Sequence, residues 1–243
     1  MPKRVTQKGI WCIVPAAGTG RRAGGGMPKQ YRPLLGKPML LRTMERLAQH
    51  PKIAGLIVVL DPYDRRWGGW VMCLGKPVRT CNGGRERVDS VRAGLALAAQ
   101  FEPGDAWVLV HDAARPCVPH ADIDRLLREG MRHGVGALLA ARVHDTIKRA
   151  ELSGNVAETV PRDNLWRALT PQLFRLGELT QALASVDADP ALAGGITDES
   201  SAFEAAGRKP LLVEGSEDNL KVTSLADFAR AEAVLRAQGE RPA

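Results

Sequence analysis

Aromatic residues make up only 5% of this 243-residue chain, and no run alternates basic with aromatic side chains. That lowers the case for a protein that stacks single-stranded nucleic acid on its surface. Cysteine is sparse as well. Cys12, Cys73, Cys81 and Cys117 form no C-x-x-C pair and have no histidine at zinc-ligand spacing, so neither a zinc site nor a disulfide framework is indicated and a reducing cytoplasm fits best. No apolar run approaches the roughly 18 residues of a membrane span. Lys3, Arg4 and Lys8 precede the apolar run from Ile10 to Ala17 as in a weak targeting signal, but a convincing cleavage site is missing and a buried first strand is the better reading. The Walker pattern G-x-x-x-x-G-K-[ST] never occurs. The dinucleotide fingerprint is met only in its G-x-G-x-x-A variant at Gly18 to Ala23, where continuing glycines and Pro28 oppose the start of a helix.

What is present is an ordinary globular balance, 44% hydrophobic and 25% charged residues, in a length that suits one large α/β domain spanning 1–243. Lysine and arginine number 34 against 27 acidic residues, giving +7. That surplus draws in polyanions, whether nucleic acid, an anionic membrane or phosphorylated metabolites. Short apolar runs, β-branched in part, at Ile10–Val14, Gly55–Leu60, Ala106–Val110 and Gly136–Ala140 read as strands. Between and after them Val88, Val91, Leu95 and Ala98, then Ile123, Leu126, Leu127 and Met131, recur at helical spacing, and Leu225, Phe228, Ala231 and Leu235 suggest a closing helix. The alternation predicts a mostly parallel sheet with helices on both faces and ligands outside the carboxyl ends of its strands. Asp145 to Asn164 breaks the rhythm with polar residues, Gly154 and Pro161, and reads as a protruding arm or hairpin.

The strongest local signal follows the first strand. Pro15-Ala16-Ala17-Gly18-Thr19-Gly20-Arg21-Arg22 leads through three glycines to Pro28-Lys29-Gln30. Small residues let backbone N–H groups approach phosphate oxygens, and Arg22 and Lys29 add full positive charge. The competing account is a flexible surface loop with solvated cations.

This loop, with Tyr31 completing P-K-Q-Y, resembles the signature of nucleotidyltransferases acting on sugar and polyol phosphates. The resemblance is most specific to the 2-C-methyl-D-erythritol 4-phosphate cytidylyltransferases of non-mevalonate isoprenoid synthesis. It continues through Gly83-Gly84-x-x-Arg87-x-x-Ser90, His111-Asp112-Ala113-Ala114-Arg115-Pro116, Asp145-Thr146-Ile147-Lys148-Arg149, Leu165 to Gln172, Thr197-Asp198-Glu199 and Asp218 to Thr223. It implies a Rossmann-like fold whose arm, about 145–164, serves dimerisation, and transfer of CMP from CTP to a polyol phosphate with Mg²⁺ and release of pyrophosphate.

By the same resemblance Arg22, Lys29, Arg162 and Lys221 are the catalytic residues. Pro15, Ala16, Ala17, Gly18, Gly20, Lys29, Gly83, Gly84, Ser90, Asp112 and Ala113 bind the nucleotide, with the Gly83–Ser90 turn selecting cytosine. Asp112, Arg115, Thr146, Arg162, Thr170, Thr197 and Lys221 hold the acceptor, and the resemblance implies a homodimer in which Thr146 and Arg162 complete the partner's site. Mg²⁺ would be held mainly by triphosphate oxygens and water. Structural accounts compete: Asp112 as a helix cap, and Thr197-Asp198-Glu199 as an ordinary helix start. His111 reads as packing or making one structural hydrogen bond. Arg85 stands where some family members carry Asp, so its side chain is not assigned to the base. A ribitol-5-phosphate cytidylyltransferase is the nearest alternative, and a non-catalytic nucleic-acid-binding module the remote one.

Overall fold

The structure is a computed structural model that describes residues 9–18, 26–188 and 196–242. Gly20 and Arg22 therefore lie outside the described residues. The chain runs through Ile10–Pro15 (β1), a short turn of 3-10 helix at Lys29–Tyr31, Pro33–Leu34 (β2), Lys37–Pro38 (β3), Met39–Ala48 (α1), Ile53–Leu60 (β4), Met72–Cys73 (β5), Lys76–Asn82 (β6) and Arg87–Ala98 (α2). It continues with Trp107–Val110 (β7), His120–Gly130 (α3), Ala137–Arg142 (β8), Ile147–Ala150 (β9), Val156–Val160 (β10) and Trp166–Arg175 (β11). Leu176–Ala188 (α4), Glu199–Ala205 (α5), Leu211–Glu214 (β12) and Leu225–Ala237 (α6) complete it.

β1 and β4 are nearly unbroken apolar runs because both of their faces are covered. Alternate side chains serve opposite sides of the sheet. Cys12, Val14, Leu56 and Val58 pack with Leu40, Met44 and Leu47 of α1 and with Ile123 and Leu126 of α3. Trp11, Ile13, Ile57 and Val59 pack with Val91 and Leu95 of α2, Leu179 and Leu183 of α4 and Phe203 of α5. Each such aliphatic side chain contributes about 1.5–3 kcal/mol on burial, and these two layers hold the sheet between its helices.

The eight strands lie in the order β12-β8-β11-β7-β1-β4-β6-β5. β1 is parallel to β4 and β7, β4 to β6, and β8 to β12, whereas β11 runs antiparallel between β7 and β8. The expected mostly parallel sheet with helices on both faces is present. The inverted β11 matters for the site, because its early residues lie at the edge where the parallel strands end: Trp166 pairs with Arg142, the last residue of β8.

β9 and β10 form a separate antiparallel hairpin, exposed along almost its whole length. This is the protruding arm. A third apolar cluster joins Leu34, Leu35 and Met39 to Ala114, Cys117 and Val222 and to Ala231 and Leu235 of α6. It fixes the segment carrying Lys221 against the loop after β7. Trp67 and Trp70, which carry no motif, pack edge to face with ring centres 4.8 Å apart and rest on the α1 side of the core.

Candidate active site

The carboxyl ends of β1, β6 and β7 open onto a cleft of about 380 Å³. Pro15, Ala16, Ala17 and Gly18 supply one wall, Gly84 to Arg87 and Ser90 another, and Lys29, Asp112, Ala113 and Lys221 close it. Among the described residues nothing lies within 4 Å of where a side chain at Gly18 would start. Gly83 is crowded: a Cβ there would stand 2.5 Å from Ser90 Oγ and 2.7 Å from Ala17 Cβ. Glycine at 83 thus lets the turn before α2 close against the end of β1. The Gln30 side chain donates from Nε2 to the carbonyls of Ala16, at 2.9 Å, and Gly18, at 3.0 Å, holding the opening of the glycine loop.

Asp112 stands at the centre of the charge arrangement. One carboxylate oxygen accepts from Arg87 Nε at 3.0 Å, and the other lies 2.8 Å from Lys221 Nζ and 3.7 Å from Arg115 Nε. Burial alone would raise its pKa, but Arg87, Lys221 and Arg115 outweigh burial and hold the carboxyl well below the usual carboxylate range. Asp112 does not cap a helix, since α3 begins only at His120. Arg87 also grips the buried Glu199 with both terminal nitrogens, at 2.6 and 3.2 Å.

Lys221 reaches the cleft because its chain segment is pinned on both sides. Asn219, fully buried, donates from Nδ2 to the Thr170 carbonyl at 2.7 Å and accepts from Arg115 Nη1 at 2.7 Å. The Val222 N–H donates to the Ala114 carbonyl, and Lys29 Nζ donates to the Val222 carbonyl at 2.9 Å. Lys29 and Lys221, 192 positions apart by their numbers in the sequence, are therefore tied to one short stretch of backbone. On the other side of Lys221 and Thr223 lies a second cavity of about 570 Å³, lined also by Arg115, Arg167, Asp218 and Arg230.

His111 is fully buried, with Nε2 2.9 Å from the Arg115 carbonyl and Nδ1 3.1 Å from Thr170 Oγ1. Burial pushes its pKa down to about 4, so the ring is neutral at pH 7. Both nitrogens serve the architecture. Thr170 Oγ1 also accepts from the Asp112 N–H at 3.0 Å, so this buried hydroxyl orients the Asp112 backbone from within.

Other residues expected in the site stand apart from the cleft. Thr197 is exposed and lines neither cavity, and the cap of α5 is the Asp198 carboxylate, which accepts from the Ser201 N–H at 3.0 Å. Thr146 and Arg162 are exposed at the base of the arm, where Arg162 donates to the His144 carbonyl. Sequence reasoning gave no role to Arg87, Glu199, Gln30 or Asn219. Each stands within a recognised motif, but only the fold shows what it holds.

A helix-flanked sheet with a glycine loop at the end of its first strand and cations converging on a cleft at its carboxyl edge defines a nucleotide-binding α/β protein. The sequence model of the 2-C-methyl-D-erythritol 4-phosphate cytidylyltransferase (IspD) family matches residues 10–237. The chain is 52% identical over 227 residues to the protein of that name from Stenotrophomonas maltophilia, covering 93% of this chain and 96% of that one. It is 51% identical over 231 residues to the one from Xanthomonas euvesicatoria, covering 95% and 86%. Among solved structures, the 2-C-methyl-D-erythritol 4-phosphate cytidylyltransferase of Francisella tularensis superposes with a TM-score of 0.80 at 34% identity, over 93% of this chain and all of that one. A 4-diphosphocytidyl-2C-methyl-D-erythritol synthase superposes at 0.81 and 35% identity, over 94% and 99%. The chain belongs to the 2-C-methyl-D-erythritol 4-phosphate cytidylyltransferase family.

Proposed function

We propose that the chain transfers CMP from CTP to 2-C-methyl-D-erythritol 4-phosphate, giving 4-diphosphocytidyl-2-C-methyl-D-erythritol and pyrophosphate. The observation that carries the mechanism is the position of Lys221, which lines both the nucleotide cleft and the second cavity and is paired with Asp112 on the cleft side. An acceptor phosphate in the second cavity, beside Arg115 and Lys221, has its oxygen directed at a CTP α-phosphorus lying in the cleft. That oxygen forms the new P–O bond while the bond from the α-phosphorus to the oxygen bridging the β-phosphorus breaks. Pyrophosphate leaves with the electron pair. The attacking oxygen is already ionised, so no general base is required, consistent with the neutral, enclosed His111. Catalysis then rests on alignment and on stabilising negative charge, the task of Lys29, Lys221 and, by family resemblance, Arg22.

Cytosine is read at the Gly83–Ser90 turn, where Gly84 and Ser90 line the cleft. Ala16, Ala17 and Gly18 take the nucleotide backbone, with Asp112 and Ala113 beneath. Mg²⁺ would be held mainly by the triphosphate and water, beside Asp112 and Glu86, and would supply neutralisation of the phosphate charge. The donor chemistry present fits that use, because the Asp112 and Glu86 carboxylates within the cleft suit a hard cation that keeps most of its waters.

The enzyme acts as a homodimer with one such domain per chain. An isolated two-stranded hairpin is marginally stable alone, and this one carries exposed Leu152 and Val156. Thr146 and Arg162 line neither cavity of their own chain, which supports their completing the neighbour's acceptor pocket. No described helix is long and apolar enough to cross a membrane. A cytoplasmic location and small-molecule substrates rather than nucleic acid are part of this reading, supported by the sparse, unpaired cysteines and the few aromatics of the sequence. Pyrophosphate release by purified protein with CTP and Mg²⁺, given methylerythritol 4-phosphate or ribitol 5-phosphate separately, tests the assignment. Release with the first alone is expected, and release with the second alone would move the enzyme to another pathway.

A further inference from the structure

Two motif residues remain unused by the transfer as described: Arg87, at the start of α2, and Glu199, at the start of α5. They are 112 positions apart and meet behind the Asp112 carboxylate. Glu199 is 2% exposed and is held by both terminal nitrogens of Arg87, a two-point contact that fixes the plane of the guanidinium. From that fixed plane Arg87 Nε reaches one oxygen of Asp112 at 3.0 Å, and the other oxygen faces Lys221 Nζ at 2.8 Å. The order Glu199, Arg87, Asp112, Lys221 alternates in sign from the interior to the border between the cavities.

We propose that Arg87, anchored by Glu199, is a positioning residue that sets the Asp112 carboxylate and, through it, the place of the Lys221 ammonium in the transfer. The arrangement has a directional logic. A carboxylate buried between three cations could turn toward any of them. Glu199 occupies the terminal nitrogens of Arg87, leaving Nε for a single Asp112 oxygen, so the second oxygen stays available to Lys221. With Glu199 neutral, Arg87 is free to grip both Asp112 oxygens, and Lys221 loses its partner. A small displacement of an aligned cation is costly in a reaction that depends on alignment.

The proposal rests on the CMP-transfer reading, and its test separates the two. Glu199→Gln keeps the size of the side chain and removes its charge. With CTP and methylerythritol 4-phosphate, kcat is expected to fall about 10- to 100-fold while KM for CTP stays within about threefold. In a Lys221→Ala background the same substitution should cost almost nothing further, because both changes remove one function. An unchanged kcat, a rise confined to KM for CTP, or losses that multiply across the two sites would overturn the proposal. If Glu199→Gln does not fold, Arg87→Lys, which abolishes the two-point contact but keeps the charge, is held to the same pattern. A readout free of turnover is the acylation rate of Lys221 followed by mass spectrometry, expected to rise in Glu199→Gln and to stay level if the proposal is wrong. A silent wild-type enzyme would count against the CMP-transfer reading alone, and the acylation rate would still decide this one.

Discussion

Replacing Asp112 by Asn tests the charge arrangement where it is densest. The carboxylate is buried and meets Arg87 at 3.0 Å, Lys221 at 2.8 Å and Arg115 at 3.7 Å. Asn keeps one oxygen and turns an NH₂ donor toward a cation that already donates. Each charge-assisted hydrogen bond is worth about 1.5–3 kcal/mol, with the Lys221 share at the low end because that side chain is 42% exposed. Arg87 keeps Glu199, so it is not left unpaired. The expected loss of stability is therefore about 3 kcal/mol, within the range for breaking one member of a buried ion pair. For a domain of this size that lowers Tm by about 6–12 °C, leaving a folded protein at 25 °C. Turnover should fall further than stability, by about 10² or more, since Lys221 loses the partner that places it. A thermal melt and a pyrophosphate-release assay on one preparation read both. A variant with wild-type Tm and kcat would refute the view that Asp112 organises the site.

Lys29→Ala is expected to cut kcat by about 10²–10³. Loss of its bond to the Val222 carbonyl should cost about 1 kcal/mol, so Tm moves by only a few degrees in a melting experiment. Arg162→Ala should raise KM for the acceptor while leaving CTP affinity measured by calorimetry close to wild type, and mixing it with an arm-intact, Lys29→Ala chain should restore some activity through hybrid dimers. His111 gives stability a pH dependence of definite sign. The unfolded chain takes up its proton near 6.5 and the folded chain only near 4, so the contribution is complete above 6.5 and is lost as pH falls toward 4. The full effect is about 3 kcal/mol, of which about 2 kcal/mol is lost between pH 7 and pH 5. His50, lowered chiefly by burial, acts in the same direction, and Asp122 and Glu199, raised by burial, act against it. The check is thus the difference between wild type and His111→Gln in urea unfolding at the two pH values, with a shallower decline expected in the variant.

The part of the fold visible in the sequence is the part written in local pattern. Ile10–Val14 and Gly55–Leu60 announce themselves because central parallel strands need apolar residues on both faces, and the face of α2 shows in Val91, Leu95 and Ala98 at helical spacing. The Asp145–Asn164 interruption was legible as a hairpin for the opposite reason, having too little apolar surface to join the core. β11 was not legible as a strand. Arg167, Gln172 and Pro171 obscure its alternation, and its inverted direction is decided by pairing with β7 and β8 rather than by its own residues.

The site divides the same way. The glycine loop and Lys29 stand in local pattern, and Ala16, Ala17, Gly18 and Lys29, expected at the nucleotide, line the cleft. The direction of a side chain is not local. Thr170 was expected to offer its hydroxyl to the acceptor, yet that hydroxyl is enclosed between His111 and the Asp112 N–H. The grip of Arg87 on Glu199 joins residues 112 positions apart, and only the packing of α2 and α5 against α4 on one face of the sheet brings it about.

The most direct test of the account follows the α-phosphorus itself. With CTP labelled at that phosphorus, methylerythritol 4-phosphate and Mg²⁺, the label should appear in a product of the combined mass of CMP and the acceptor less one water, with one unlabelled pyrophosphate released per product. Label remaining in CTP, or recovered as free CMP whether or not the acceptor is present, would contradict transfer to an acceptor aligned across Lys221 and Asp112.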